Sequence, residues 1–244
     1  MTSNTETPVL RIPFVSTNGV CASQIPSVME LNHVEWNRIG RLDWPEAYPY
    51  APKAEFRIAY GEDALLINYR VTEEDTQAVA IADNGRVWED SCVEMFLSPY
   101  PESDIYYNLE ANCIGTILLA NRGNGREAEH APTEVLQSIE RYSSLAKETT
   151  PGASATSGNA ISATDAAALP RMEGLNTWTL ALKVPFTAFW KDQSQFPPRE
   201  PMRANFYKCG DKMRRAHFLS WSPISAPKPN FHLPEFFGRI LWGE

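Results

Sequence analysis

Long apolar runs are missing from this 244-residue chain, and no segment reads as a membrane span. The opening Met1-Thr2-Ser3-Asn4-Thr5-Glu6 lacks the basic and apolar regions of a secretory leader. As it reads, the chain belongs in the cytoplasm; a trimmed leader would make it a secreted protein. Lys/Arg runs are also missing, and the net charge is −8. A nucleic-acid partner is therefore disfavoured, because phosphate binding needs a concentrated positive face. Cysteine is sparse. Cys21, Cys92, Cys113 and Cys209 form no C-x-x-C pair, so free and mostly buried thiols are expected. No G-x-S-x-G elbow, P-loop or H-E-x-x-H is present. His33, His130, His217 and His232 have no metal-ligand spacing, and each reads as a surface or loop histidine.

What the chain does have is aromatic residues: 7 Trp, 9 Tyr and 11 Phe, which favour strands. In Ala54–Tyr60, Phe56, Ile58 and Tyr60 alternate with more polar neighbours. Leu65–Val71, Cys92–Leu97, Ile105–Asn112 and Trp178–Val184 repeat the pattern. Period-2 alternation of this kind predicts half-buried strands. Thr116–Ala120, Arg203–Lys208, Phe218–Trp221 and Gly238–Trp242 add further candidates. Cys92–Leu97 and Ile105–Asn112, joined by a short Pro-containing loop, should pair antiparallel. Many short strands without a long amphipathic helix predict an all-β antiparallel sandwich, immunoglobulin- or jelly-roll-like, with long loops. Residues 1–30 read as irregular, and residues 31–50 as a loop or short helical turn. Residues 31–244 form a single sandwich in this reading. The Ala/Ser/Thr/Gly-rich stretch 143–169 reads as a mobile surface insertion.

Three kinds of chemistry deserve weighing. Asp90 and Glu94 would share a strand face, but four residues at ~3.3 Å each span roughly 13 Å. That is too far for the ~5–9.5 Å of glycosidase carboxyl pairs. Glu94 and Glu110, on neighbouring strands, can come closer, which keeps a glycoside-processing enzyme or subunit as an alternative; a polar groove face is favoured. Glu73-Glu74-Asp75 offers hard oxygen ligands for calcium, though a solvated acidic turn is the plainer reading. No other cofactor is called for. For binding, sugars present C–H faces to aromatic rings and hydroxyls to amides and carboxylates. Trp88 follows the turn Asn84-Gly85-Arg86, and Phe231 follows the loop Pro227-Lys228-Pro229-Asn230. Glu94, Glu110 and Asn112 point to one side of their strands.

The block Trp88-Glu89-Asp90-Ser91-Cys92-Val93-Glu94-Met95-Phe96 and the later Ser220-Trp221-Ser222 and Pro234-Glu235-Phe236-Phe237-Gly238 resemble the signature of family 9 carbohydrate-binding modules. Tyr106-Tyr107, Gly115, Trp178, Val184-Pro185-Phe186 and Asn205-Phe206 fall in the same order, so the resemblance runs from Trp36 to Trp242, interrupted at 143–169. It implies non-catalytic sugar binding by two stacking aromatics. Trp88 falls on the first position; Phe231 falls on the second, where characterised binders carry Trp. Glu94 and Asn112 fall on polar sugar contacts. Glu110 stands where binders can carry Arg, and Tyr207 and Cys209 where they carry amides. The expected ligand set is Trp88, Glu94, Glu110, Asn112, Tyr207 and Phe231, with a saccharide partner and a role in carbohydrate catabolism. A protein-interaction module using the same groove is the remaining alternative. Nucleic acid and membrane are not expected partners, and the sequence leaves the oligomeric state open.

Overall fold

The computed structural model of the chain describes residues 7–123, 125–145, 168–192, 196 and 201–243. Most of the 143–169 insertion lies outside these residues. Two sheets share one apolar core. The first has eight strands. Its path runs β1 (Val9–Ile12), β13 (Gly238–Trp242), β11 (Met202–Cys209), β5 (Cys92–Ser98), β6 (Tyr106–Asn112), β7 (Ile117–Gly123) and β8 (Arg126–His130). β12 (Phe218–Ser220) pairs with the end of β11. The second sheet runs β2 (Asn37–Ile39), β3 (Lys53–Tyr60), β4 (Ala64–Ala78), β10 (Leu169–Pro185) and β9 (Glu140–Ser143). Every pairing is antiparallel except β1 with β13. The expected β5–β6 pair forms, with Glu94 directly opposite Glu110.

The alternation read from the sequence fixes which side chains enter the core. Val93, Met95 and Leu97 of β5 face the second sheet, as do Tyr107, Leu109 and Ala111 of β6. Phe56 and Phe206 stack across the two sheets at 3.6 Å, and the Trp221 ring meets both edge-on. Gly238 passes under Trp221 so closely that a Cβ would overlap the indole ring. The neighbouring strand can cross there only without a side chain.

Several segments differ from the sequence expectation. The N-terminal stretch expected to be irregular adds β1 to the edge of β13 and forms α1 (Ile25–Leu31). An edge strand is recruited through its backbone, so side-chain pattern announces it weakly. Asn37–Ile39 is a strand rather than loop, and residues 126–143 hold β8, α2 (Thr133–Ser138) and β9. β5 and β6 are buried on both faces, not one. Loops carrying Trp44, Ile224, Phe231 and Phe237 cover the outer face and build a second apolar cluster with Phe96, Tyr106 and Tyr207.

The acidic run Glu73-Glu74-Asp75 is not a solvated turn. It lies within β4, and each carboxylate has a basic partner: Lys208, Arg215 and Arg214 respectively. Glu73 and Lys208 are both fully buried, 2.8 Å apart, one from each sheet. His217 is 1% exposed, so it is a core residue and not a surface one. Its Nδ1–H donates to the Arg215 carbonyl, which leaves Nε2 to accept from Lys208 Nζ at 2.8 Å.

Candidate sugar-binding pocket

Trp88 sits on a short 3-10 turn, Val87–Glu89, that follows Asn84 at positive φ. Two strands and a loop hold the turn in place. The Asp90 carboxylate accepts from the Val79 and Ala80 amides at 2.9 and 3.0 Å, and from Asn112 Nδ2 at 3.0 Å. The Asp211 amide donates to the Trp88 carbonyl at 3.1 Å. The half-buried Trp88 ring also lies 5.8 Å from the Arg86 guanidinium. Asp90 is thus a scaffold group rather than one of a catalytic pair.

Phe231 is placed from the opposite side. Its ring stacks on Tyr207 at 4.0 Å with planes 6° apart, and the Tyr207 hydroxyl donates to the Phe231 carbonyl at 3.1 Å. Trp44 and Phe218 flank it at 6.3 and 6.1 Å. Trp44 is itself tethered by an Nε1–H bond to the Ala226 carbonyl. Asn205 fixes the Ser220-Trp221-Ser222 segment by bonding both the amide and the carbonyl of Ser222.

Between these aromatics lies an open pocket of about 230 Å³. Trp88, Glu94, Glu110 and Phe231, four of the six residues expected from the sequence to contact a ligand, line it. Asn112 and Tyr207 do not belong to its lining. Asn112 spends both amide hydrogens on Ala80 and Asp90 and its oxygen on the Thr116 amide. Tyr207 is the buried support beneath Phe231. Sequence parity puts all these residues on one face, but parity alone cannot say which are roofed by a loop. The structure adds Phe96, Arg122, Cys209, Asp211, Phe218 and His232 to the lining. Arg122 was legible in part, since it shares a face with Leu118 and Ala120 on the strand beside Glu110. Asp211 and His232 come from loops without a periodic signal.

The polar floor is electrostatically taut. Burial pushes the Glu94 carboxyl well above the usual range, and Glu110 opposite raises it further; the Cys209 thiol, donating to Oε1 at 3.0 Å, opposes both. Burial likewise raises Glu110 to about 7, against the pull of Asn108 and Arg122. Glu110 Oε1 accepts from Asn108 Nδ2 at 2.7 Å, while its buried Oε2 has no hydrogen-bond partner. A sign follows for stability. A carboxyl with a raised folded-state pKa contributes fully below its ordinary 4.5 and loses that contribution as pH rises through about 7. Glu110→Gln cannot ionise, so its melting temperature should gain on wild type as pH rises through that window. A pH-independent difference in paired thermal melts would count against this burial.

Glu94 and Glu110 stand side by side on one floor. A glycosidase places its carboxyls on either side of the scissile bond, with one of them ionised. This geometry suits hydrogen bonding to a ligand laid over both groups. Cys92 Sγ, Cys209 Sγ and a Glu94 oxygen lie within 4.8 Å of one another and form a donor set for a soft metal ion. Burial raises the Cys92 thiol to about 12 and Cys209 upward too, so such an ion would have to displace two tightly held protons. Among the described residues, no helix is long and apolar enough to cross a membrane.

Comparison with known proteins agrees with this architecture. A candidate carbohydrate-binding protein from Bacteroides uniformis ATCC 8492 superposes with a TM-score of 0.85 at 36% identity, covering 98% of this chain and 100% of that one. Two solved structures of a family 9 module from Caldicellulosiruptor kristjanssonii share the fold. The complex with cellotriose has a TM-score of 0.51 at 14% identity, covering 96% and 93% of the two chains. The complex with glucose has 0.54 at 15%, covering 96% and 95%. No curated protein matches the chain. The sequence model for carbohydrate-binding family 9 matches residues 23–242, nearly the whole chain, so the protein belongs to carbohydrate-binding family 9.

Proposed function

We propose that the protein binds a saccharide non-covalently, one ring at a time, in the pocket between Trp88 and Phe231. The observation that carries this reading is the composition of the pocket: aromatic walls over a polar floor on which the buried Glu110 Oε2 is left without a donor. Sugar C–H faces suit the walls, and hydroxyls suit the floor. The volume, about 230 Å³, is below that of pockets for drug-sized ligands and fits a small one. Phe231 gives the ligand at most one ring face, because Tyr207 covers the other. Glu94, Glu110, Arg122 and Asp211 supply the polar contacts. The related module's complexes with glucose and cellotriose make glucose-based ligands the first to try.

Trp88→Ala tests the reading. Loss of one stacking face, worth about 1–3 kcal/mol by analogy with base stacking, should weaken binding roughly 5- to 150-fold in calorimetric titration. The half-buried ring contributes less to the fold, so the variant should keep a cooperative thermal transition. Undiminished affinity in a folded Trp88→Ala protein would remove Trp88 from the site.

A further inference from the structure

We propose that the ligand this pocket prefers is a hexosamine, a sugar with a free and protonated amine. The proposal rests on the sugar-site reading above and narrows its substrate class. Three carboxyl side chains line the pocket, Glu94 and Glu110 on the floor and Asp211 on the exposed rim, against the single cation Arg122. Arg122 spends one of its five N–H donors on the scaffold, Nε donating to Asn108 Oδ1 at 3.0 Å. Two further polar groups of the lining already have partners: His232 Nδ1 is 2.9 Å from the Tyr106 hydroxyl, and the Cys209 thiol donates to Glu94.

The floor calls for a donor, and its charge calls for a cation. Glu110 lines the pocket at 4% exposure, and its buried Oε2 has no hydrogen-bond partner. An acceptor buried without a donor is costly, and a ligand N–H or O–H relieves that cost. A hydroxyl can do only this much. Glu94 lies directly opposite Glu110 across the strand pair, so ionising both sets like charges side by side in a buried site. An ammonium above them satisfies Oε2 and offsets the repulsion at once, with a charge-assisted hydrogen bond. The rings of Trp88 and Phe231 add their own attraction for a cation. An acidic sugar gains no such pairing: its carboxylate adds a like charge beside whichever of the three carboxyls is ionised, with Arg122 as the lining's cation.

Calorimetric titration of the full chain at low ionic strength tests this. At about pH 6.5 a simple primary amine is mostly protonated. The probes are D-glucosamine and D-galactosamine, their neutral parents glucose and galactose, N-acetylglucosamine, and glucuronate. At least one hexosamine should bind about tenfold or more tighter than its neutral parent, the difference expected between a charged and a neutral hydrogen bond. N-acetylation should abolish the advantage, glucuronate should bind weakest, and added salt should shrink the preference. In Glu110→Gln and Asp211→Asn proteins, checked for folding by thermal melts, the hexosamine-to-hexose ratio should fall towards one. Neutral sugars binding as tightly as their amines would overturn the hexosamine proposal and leave the sugar site standing. No binding by any of these sugars would overturn both. A preference that survives in both variants would overturn the assignment of the carboxyls as its source.

Discussion

Replacing Lys208 by Ala should destabilise the protein by about 3–5 kcal/mol, the cost of stranding a buried charge whose partner has been removed. The Lys208–Glu73 pair is fully buried and joins the two sheets through β11 and β4. Lys208 Nζ also donates to the Cys209 carbonyl and to His217, while Trp178 Nε1 donates to Glu73 Oε1 at 2.7 Å. Truncating Lys208 leaves Glu73 with Trp178 as its remaining close donor in an apolar interior. At 2–4 °C per kcal/mol for a chain of this size, the melting temperature should drop by roughly 6–20 °C. The double variant Lys208→Met/Glu73→Leu should recover much of the loss, because replacing both partners removes the stranded charge. Urea denaturation of wild type, Lys208→Met, Glu73→Leu and the double variant completes a cycle that measures the coupling. A Lys208→Ala cost under about 1 kcal/mol would mean that water reaches Glu73.

The second large effect concerns Phe231. From sequence, its place on a loop suggests that truncation would spare the fold. The structure reverses this, since the ring is 8% exposed, stacked on Tyr207 and flanked by Trp44 and Phe218. Phe231→Ala should cost about 3 kcal/mol, the low end for a buried Phe, because the space it leaves opens onto the pocket. Sugar affinity should fall as well. Phe231→Leu separates the two effects, restoring apolar volume over Tyr207 without restoring a flat face for the ligand. Stability should return in large part while binding does not. If Phe231→Leu binds as well as wild type, the ring supports the loop and does not stack on sugar.

These two positions show what could be read before the fold was known. The alternation in Cys92–Leu97 and Ile105–Asn112 assigned Val93, Met95, Leu109 and Ala111 to the core and set Glu94 and Glu110 on the other face. The Trp88 block marked one wall of the pocket, whereas the Phe237-Gly238 segment packs behind it, Phe237 in the second apolar cluster and Gly238 under Trp221. Lys208 ended a predicted strand, yet nothing local distinguishes a lysine that reaches water from one that meets Glu73 of another sheet, 135 residues away. His217 and the acidic run failed for the same reason.

The sequence by itself determined the strand faces, the all-β sandwich and the family. A period of two is a local property, and a face needs only one strand to define it. Tertiary structure alone decided which polar side chains remain available to a ligand. Asn112, Glu94 and Glu110 share that face, but Asn112 is consumed by Asp90, Ala80 and Thr116, while Glu110 lines the pocket and keeps one oxygen unpaired. Whether a hydrogen-bonding group is free depends on every partner within about 3 Å, and those partners come from distant segments whose meeting no local pattern encodes.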